Sequence, residues 1–158
     1  MRFVRTTLKA VVCIGVFAIL GARAEVQRIY IGTYTSGTSE GIYVADFDSS
    51  SGAIGNLRVA VKTENPSFLA KHPTLPVIYA VGEMVKEPDG DGGTVSAFRM
   101  EESGGLAPIN RASSVGAGPC HVAVAPSGKH VAVANYGGGS VALVQIDEKG
   151  GQRGAASY

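Results

Sequence analysis

The stretch that decides the fold is Gly116-Ala-Gly-Pro-Cys-His-Val-Ala-Val-Ala-Pro-Ser-Gly-Lys-His-Val-Ala-Val-Ala-Asn-Tyr-Gly-Gly-Gly-Ser-Val-Ala-Leu-Val-Gln-Ile146. It holds three short apolar runs, Val122 and Val124, Val131 and Val133, then Val141 and Leu143, each alternating with small or polar residues. That period of two belongs to half-buried strands. Pro126-Ser-Gly-Lys129 separates the first two runs and Tyr136-Gly-Gly-Gly-Ser140 the next two; both are tight-turn clusters. The stretch predicts a three-strand antiparallel meander.

The same unit recurs upstream. Pro66-Ser-Phe-Leu-Ala-Lys-His-Pro73 matches Pro119–Pro126, and Ile78-Tyr-Ala-Val-Gly82 matches Val131–Asn135, both at an offset of 53. Thr94-Val-Ser-Ala-Phe98 matches Ser140–Val144 at 46, the earlier loop being seven residues longer. An earlier copy begins with Ile29-Tyr-Ile-Gly-Thr33 and continues at Gly41-Ile-Tyr-Val-Ala45. Several strands per unit, repeated at this period, mark the blades of a β-propeller. The expected architecture is all-β, with four-stranded antiparallel blades. Their innermost strands should lie near Ser67–Lys71 and Cys120–Ala125.

The rest of the composition agrees. Beyond residue 24 the chain is rich in glycine, poor in aromatics and without tryptophan, and no helical stripe interrupts the short Val, Ile and Tyr runs. The first unit lacks a counterpart of Pro66–Pro73, so it should carry only three outer strands. Seven blades at this spacing would need well over ~300 residues against the 158 present, so the chain reads as about two and a half blades. Blade one is placed at 28–62, blade two at 66–115 and blade three, truncated, at 119–158. Open blade faces would expose apolar surface.

Residues 1–24 read as a secretory leader rather than part of the fold. Arg2, Arg5 and Lys9 precede an apolar core from Ala10 to Leu20, followed by the small-x-small signal Ala22-Arg-Ala24. The apolar run is too short for a spanning helix, which needs about 20 residues. Cleavage after Ala24 predicts an exported protein, periplasmic or extracellular, with no stable membrane insertion. Residues 25–158 then hold ten basic and thirteen acidic side chains, a net charge of −3. No basic patch with interleaved aromatics appears, so nucleic acid is not an expected partner.

Export also removes Cys13, leaving Cys120 alone and unable to form an intrachain disulfide. Beside His121 it invites a nucleophile reading, against the commoner one of a small buried strand residue. No metal or cofactor is expected. Asp89 and Asp91 lack the further ligands of a calcium loop, and Gly137-Gly-Gly139 is followed by no helix or Gly-Lys-Ser/Thr, so it is no phosphate loop.

The order Gly-Pro-Cys-His-Val at 118–122, Pro-Ser-Gly at 126–128 and Ala-Asn-Tyr-Gly-Gly-Gly-Ser-Val at 134–141 resembles the seven-bladed β-propeller lactonase family, of 6-phosphogluconolactonase type. Tyr30-Ile-Gly-Thr-Tyr-Thr35, Gly41-Ile-Tyr43 and Pro66-Ser-Phe-Leu69 resemble that family's first blades. The resemblance covers about residues 28–158. It implies hydrolysis of a small-molecule sugar lactone by the full-length protein, with the piece in hand inactive alone. Alternatives within reach are a muconate-type lactonising cycloisomerase and a non-catalytic exported ligand-binding propeller.

Opening a lactone needs a base for the attacking water and donors for the oxyanion. His121, on an innermost strand where side chains can face the central channel, is the catalytic candidate. The competing reading is a packed polar residue. Asn135 and Tyr136, ending the following strand, are substrate-binding candidates that could equally fix the turn. Thr33 and Tyr34 hold the equivalent place in blade one, and Gly82 and Glu83 in blade two, which makes Glu83 a rim carboxylate and a third substrate-binding candidate. His72 and His130, at turns, are expected to be exposed.

Overall fold

A computed structural model describes residues 26–84 and 92–158. The leader at 1–24 and the Asp89/Asp91 segment lie outside the described residues. Among those residues there is no helix, and so none long and apolar enough to cross a membrane.

Three antiparallel meanders follow one another. Strands β1 (Val26–Ile31), β2 (Gly41–Asp48) and β3 (Ile54–Lys62) form a three-stranded sheet. Strands β4 (Leu69–Lys71), β5 (Val77–Gly82), β6 (Thr94–Met100) and β7 (Leu106–Ser113) form the second, and β8 (Pro119–Val124), β9 (His130–Asn135), β10 (Ser140–Ile146) and β11 (Gln152–Ser157) the third. Within each sheet the spatial order is the sequence order. The three-stranded first sheet matches the missing copy noted in the sequence. The third sheet also has a fourth, outermost strand, β11, which follows the turn after Ile146 and pairs with β10 across a bulge at Val144 and Gln145. Gly-Gly-Gln-Arg-Gly carries no apolar alternation, so its pairing rests on backbone hydrogen bonds that a periodicity search does not register.

Alternation on β5 explains how the sheets stack. Val77, Tyr79 and Val81 pack on Val122, Val131, Val133, Ala142 and Val144 of the third sheet. Ile78 and Ala80, on the opposite face of the same strand, pack on Ile42 of the first sheet. A middle blade is thus buried on both faces, and β5 has no exposed residue. Each fully buried large side chain contributes about 1.5–3 kcal/mol. On β10 the buried residues are Ala142 and Val144, while Val141 and Leu143 face outward. Register decides this: Ala142 stands opposite Val133 and Val144 opposite Val131, so the smaller residue of each pair of neighbours turns inward.

Polar clamps tie sheet to sheet. Asn110 Nδ2 donates to the Gln152 carbonyl and Asn110 Oδ1 accepts from Gln152 N–H, joining the outermost strands of the second and third sheets. Arg58 of the first sheet donates to the Ser103 carbonyl of the second at 2.6 Å. His72 corrects the expectation of exposure, because it is buried. Its Nδ1 accepts from the N–H groups of Thr74 and Leu75, so the proton sits on Nε2, which donates to the Gly128 carbonyl of the next blade at 3.0 Å. Gly128 has φ of +69°, and a Cβ there would press on the His72 ring. Pro-Ser-Gly is therefore both a turn and a socket. His130 is half-buried.

One surface turn gives a pH prediction. Asp48 accepts from the hydroxyls of Ser50 and Ser51, which lower its pKa from the ordinary 3.8 to about 2. A lowered folded-state pKa means that the turn gains stability above pH 3.8 and loses it as pH falls toward 2. Carboxyl NMR titration should place the Asp48 midpoint at about 2, and in a variant with alanine at both 50 and 51 it should return toward 3.8.

Candidate functional site

Strands β1, β5 and β9 run in equivalent directions, so the segments after them, beginning at Gly32, Glu83 and Tyr136, emerge at one end of the stack. The starts of β4 and β8 lie at the same end. This brings Tyr34, Glu83, Ser67, Phe68 and His121 to one mouth of the inner strands.

His121 is exposed on β8, paired by its backbone with β9, and its imidazole makes no hydrogen bond to the described residues. Its ring lies against Phe68, with centroids 4.2 Å apart and planes tilted by 43°. Phe68 and His121 are equivalent positions at the offset of 53, so the stack joins corresponding sites on neighbouring blades. Phe68 itself is 39% exposed.

Glu83 is the centre of a second cluster. Tyr34 of the first sheet donates its hydroxyl to Glu83 Oε2 at 2.8 Å, and Ser67 donates to the same oxygen. Asn65 holds the group in place. Its carbonyl accepts from both Ser67 N–H and Glu83 N–H, and its Oδ1 accepts from Thr35 N–H and the Thr35 hydroxyl. Asn65 has φ of +43°, a left-handed conformation that asparagine tolerates better than most residues. Blade one approaches closely here: a Cβ on Gly32 would overlap the Pro66 carbonyl. The hydrogen bond to Glu83 is the main cause holding the Tyr34 phenol above its ordinary range, with burial second. Tyr34 therefore remains a protonated donor at neutral pH.

The other expected site residues fall apart from this cluster. Asn135 is 1% exposed, and its Nδ2 donates to the Ser114 carbonyl at 3.0 Å and to Ser140 Oγ at 3.3 Å. Engaged inside the protein, that amide favours the turn-fixing role of the two read for it. Tyr136 is 86% exposed, anchored through its N–H to the Gly118 carbonyl, with its phenol in solvent at the mouth. Cys120 is half-buried and its thiol points to the Ala134 carbonyl at 3.8 Å. Sequence reasoning passed over Ser67, Phe68 and Asn65. The signal was present for two of them, since Ser67 and Phe68 align with Cys120 and His121 at the same offset of 53.

A groove of about 980 Å³ opens at the opposite end between the second and third sheets, lined by His72, Lys129, His130, Asp147, Lys149 and Arg153. Two of its polar groups, His72 and Asp147, are already engaged. His72 is bound to backbone, and Asp147 accepts from Lys149 and Gly151 N–H groups, which hold its carboxyl below the ordinary range. No group of three or more His, Cys, Asp or Glu side chains among the described residues is arranged to hold a metal ion.

Comparison with known proteins gives a consistent picture. The chain is 35% identical over 122 residues to a 6-phosphogluconolactonase of Bacillus subtilis, covering 77% of this chain and 34% of that protein. It is 32% identical over 126 residues to a 6-phosphogluconolactonase of Formosa agariphila, again covering 77% of this chain and 34% of the relative. Among solved structures, the periplasmic gluconolactonase of Pseudomonas aeruginosa superposes with a TM-score of 0.73 at 30% identity, over 83% of this chain and 38% of that one. The chain thus spans about a third of the length of these relatives. Residues 28–157 match the model of the lactonase family described as a 7-bladed beta-propeller. With its stacked antiparallel sheets and its repeats, the chain belongs to the seven-bladed β-propeller lactonase family.

Proposed function

We propose that the full-length protein hydrolyses a sugar lactone at the mouth formed by Tyr34, Glu83 and His121, without a cofactor. Water attacks the ring carbonyl and gives its proton to His121. The carbonyl oxygen becomes an oxyanion, the ring C–O bond breaks, and the proton passes to the leaving alkoxide, yielding the open hydroxy acid. Glu83 and Tyr136 contact the substrate, and Asn135 holds the turn that presents Tyr136. The observation that carries this reading is the exposed, unbonded imidazole of His121 at the same mouth as a fixed carboxylate, in a chain of this family.

The leader read in residues 1–24 adds export, and kinship with a periplasmic gluconolactonase supports it. An exported enzyme would meet an unphosphorylated lactone rather than a cytoplasmic sugar phosphate. The test is a pH-stat assay of full-length protein on D-glucono-1,5-lactone and on muconolactone. Acid release from the former alone is the expected result. Turnover of muconolactone alone would move the assignment to a cycloisomerase, and turnover of neither would leave a binding propeller.

A further inference from the structure

We propose that Glu83, Tyr34, Ser67 and Phe68 form a specificity subsite that reads an uncharged, polyhydroxylated ring and disfavours a phosphorylated one. The inference deepens the lactone reading above and rests on it. Both hydroxyl donors land on a single carboxylate oxygen, Glu83 Oε2. They come from different blades, so the carboxylate is fixed in direction, while Oε1 accepts nothing from the described residues. Such an oxygen is an acceptor for substrate hydroxyls, and a charge-assisted one. Tyr34, kept protonated, still offers its oxygen lone pairs as a further acceptor.

Phe68 supplies the other half of sugar recognition. It follows Ser67 directly in the chain, and its part-exposed ring touches His121. An aromatic face packs against the C–H surface of a sugar ring while the ring hydroxyls bond outward. Among the described residues no lysine or arginine pairs with Glu83. A phosphate brought to this carboxylate would meet like charge, with no counter-ion from the described residues.

The experiment measures kcat and KM of the full-length protein on D-glucono-1,5-lactone and on its 6-phosphate. Wild type should prefer the neutral lactone at least about 10-fold. Glu83→Gln should lower kcat/KM for the neutral lactone roughly 10–100-fold, chiefly through KM, and leave the phosphorylated one unchanged or faster, so that the preference collapses. Ser67→Ala should show the same trend with a smaller loss, and it keeps the test informative if Glu83→Gln folds poorly. Phe68→Ala should raise KM for both lactones, with Phe68→Tyr restoring it. An unchanged preference in folded Glu83→Gln and Ser67→Ala would overturn the subsite. If wild type hydrolyses neither lactone, the lactone reading fails first, and the subsite is then judged by calorimetry with D-glucose. Binding to wild type that weakens about 10-fold in Glu83→Gln would uphold it, and absence of binding to wild type would overturn it.

Discussion

His121→Ala in the full-length protein should lower turnover of a sugar lactone by roughly 10²–10⁴-fold, the range for losing a general acid–base group. Its melting temperature should stay near that of wild type. The imidazole is exposed, forms no hydrogen bond to the described residues, and contributes to stability mainly through its face against Phe68. A packed, bonded histidine would behave in the opposite way, losing about 1–3 kcal/mol through partners left unsatisfied while activity per folded molecule held. Kinetics and thermal melting on one wild-type and variant pair distinguish the two. Asn135→Ala provides the contrast. Its buried amide ties Ser114 to Ser140, so its loss should appear in melting before it appears in kcat.

The largest stability effect is expected at Tyr79. The side chain is fully buried between the second and third sheets, and its hydroxyl donates to the Gly150 carbonyl of the next blade at 2.9 Å. Tyr79→Ala removes an aromatic ring from the main core and should cost about 3–5 kcal/mol. Tyr79→Phe keeps the ring and leaves the Gly150 carbonyl without its partner, so about 1–2 kcal/mol is expected. Urea unfolding of the three proteins gives both numbers. A pH effect follows as well. Burial, with Asp147 adding to it, pushes the Tyr79 phenol from the ordinary 10.0 to about 12. A raised folded-state pKa stabilises fully below pH 10, and that stability is lost as pH rises through about 12. Tyr79→Phe should therefore show a shallower alkaline decline across that window than wild type.

Blade order, the missing strand of the first sheet and the placement of His121 on an innermost strand were legible because they depend on repeats. An offset of 53 carries equivalent positions from blade to blade without any knowledge of contacts. Strand faces were less legible. Val141 and Leu143 are larger than Ala142, yet they turn outward, because register with β9 rather than residue size sets the face. His72 shows the same limit for a polar group. Beside Pro73 at a turn it looks solvated, and only the neighbouring Gly128 carbonyl makes burial favourable. The Glu83 cluster depends on contacts across blades and on the left-handed Asn65, neither of which leaves a periodic trace. Tyr34 was recognisable as the counterpart of Tyr136, but the two diverge in use, one bonded to a carboxylate and the other open to solvent.

We propose that chemistry belongs to the Tyr34, Glu83 and His121 mouth and not to the groove at the opposite end. A crystal structure of the full-length protein soaked with D-gluconate, the open product of the neutral lactone, tests this directly. The expected density lies over Phe68, with hydroxyls within hydrogen-bond distance of Glu83 Oε1 and the carboxylate toward His121. Gluconate seated instead among Lys129, His130 and Lys149, with the mouth empty, would contradict the assignment.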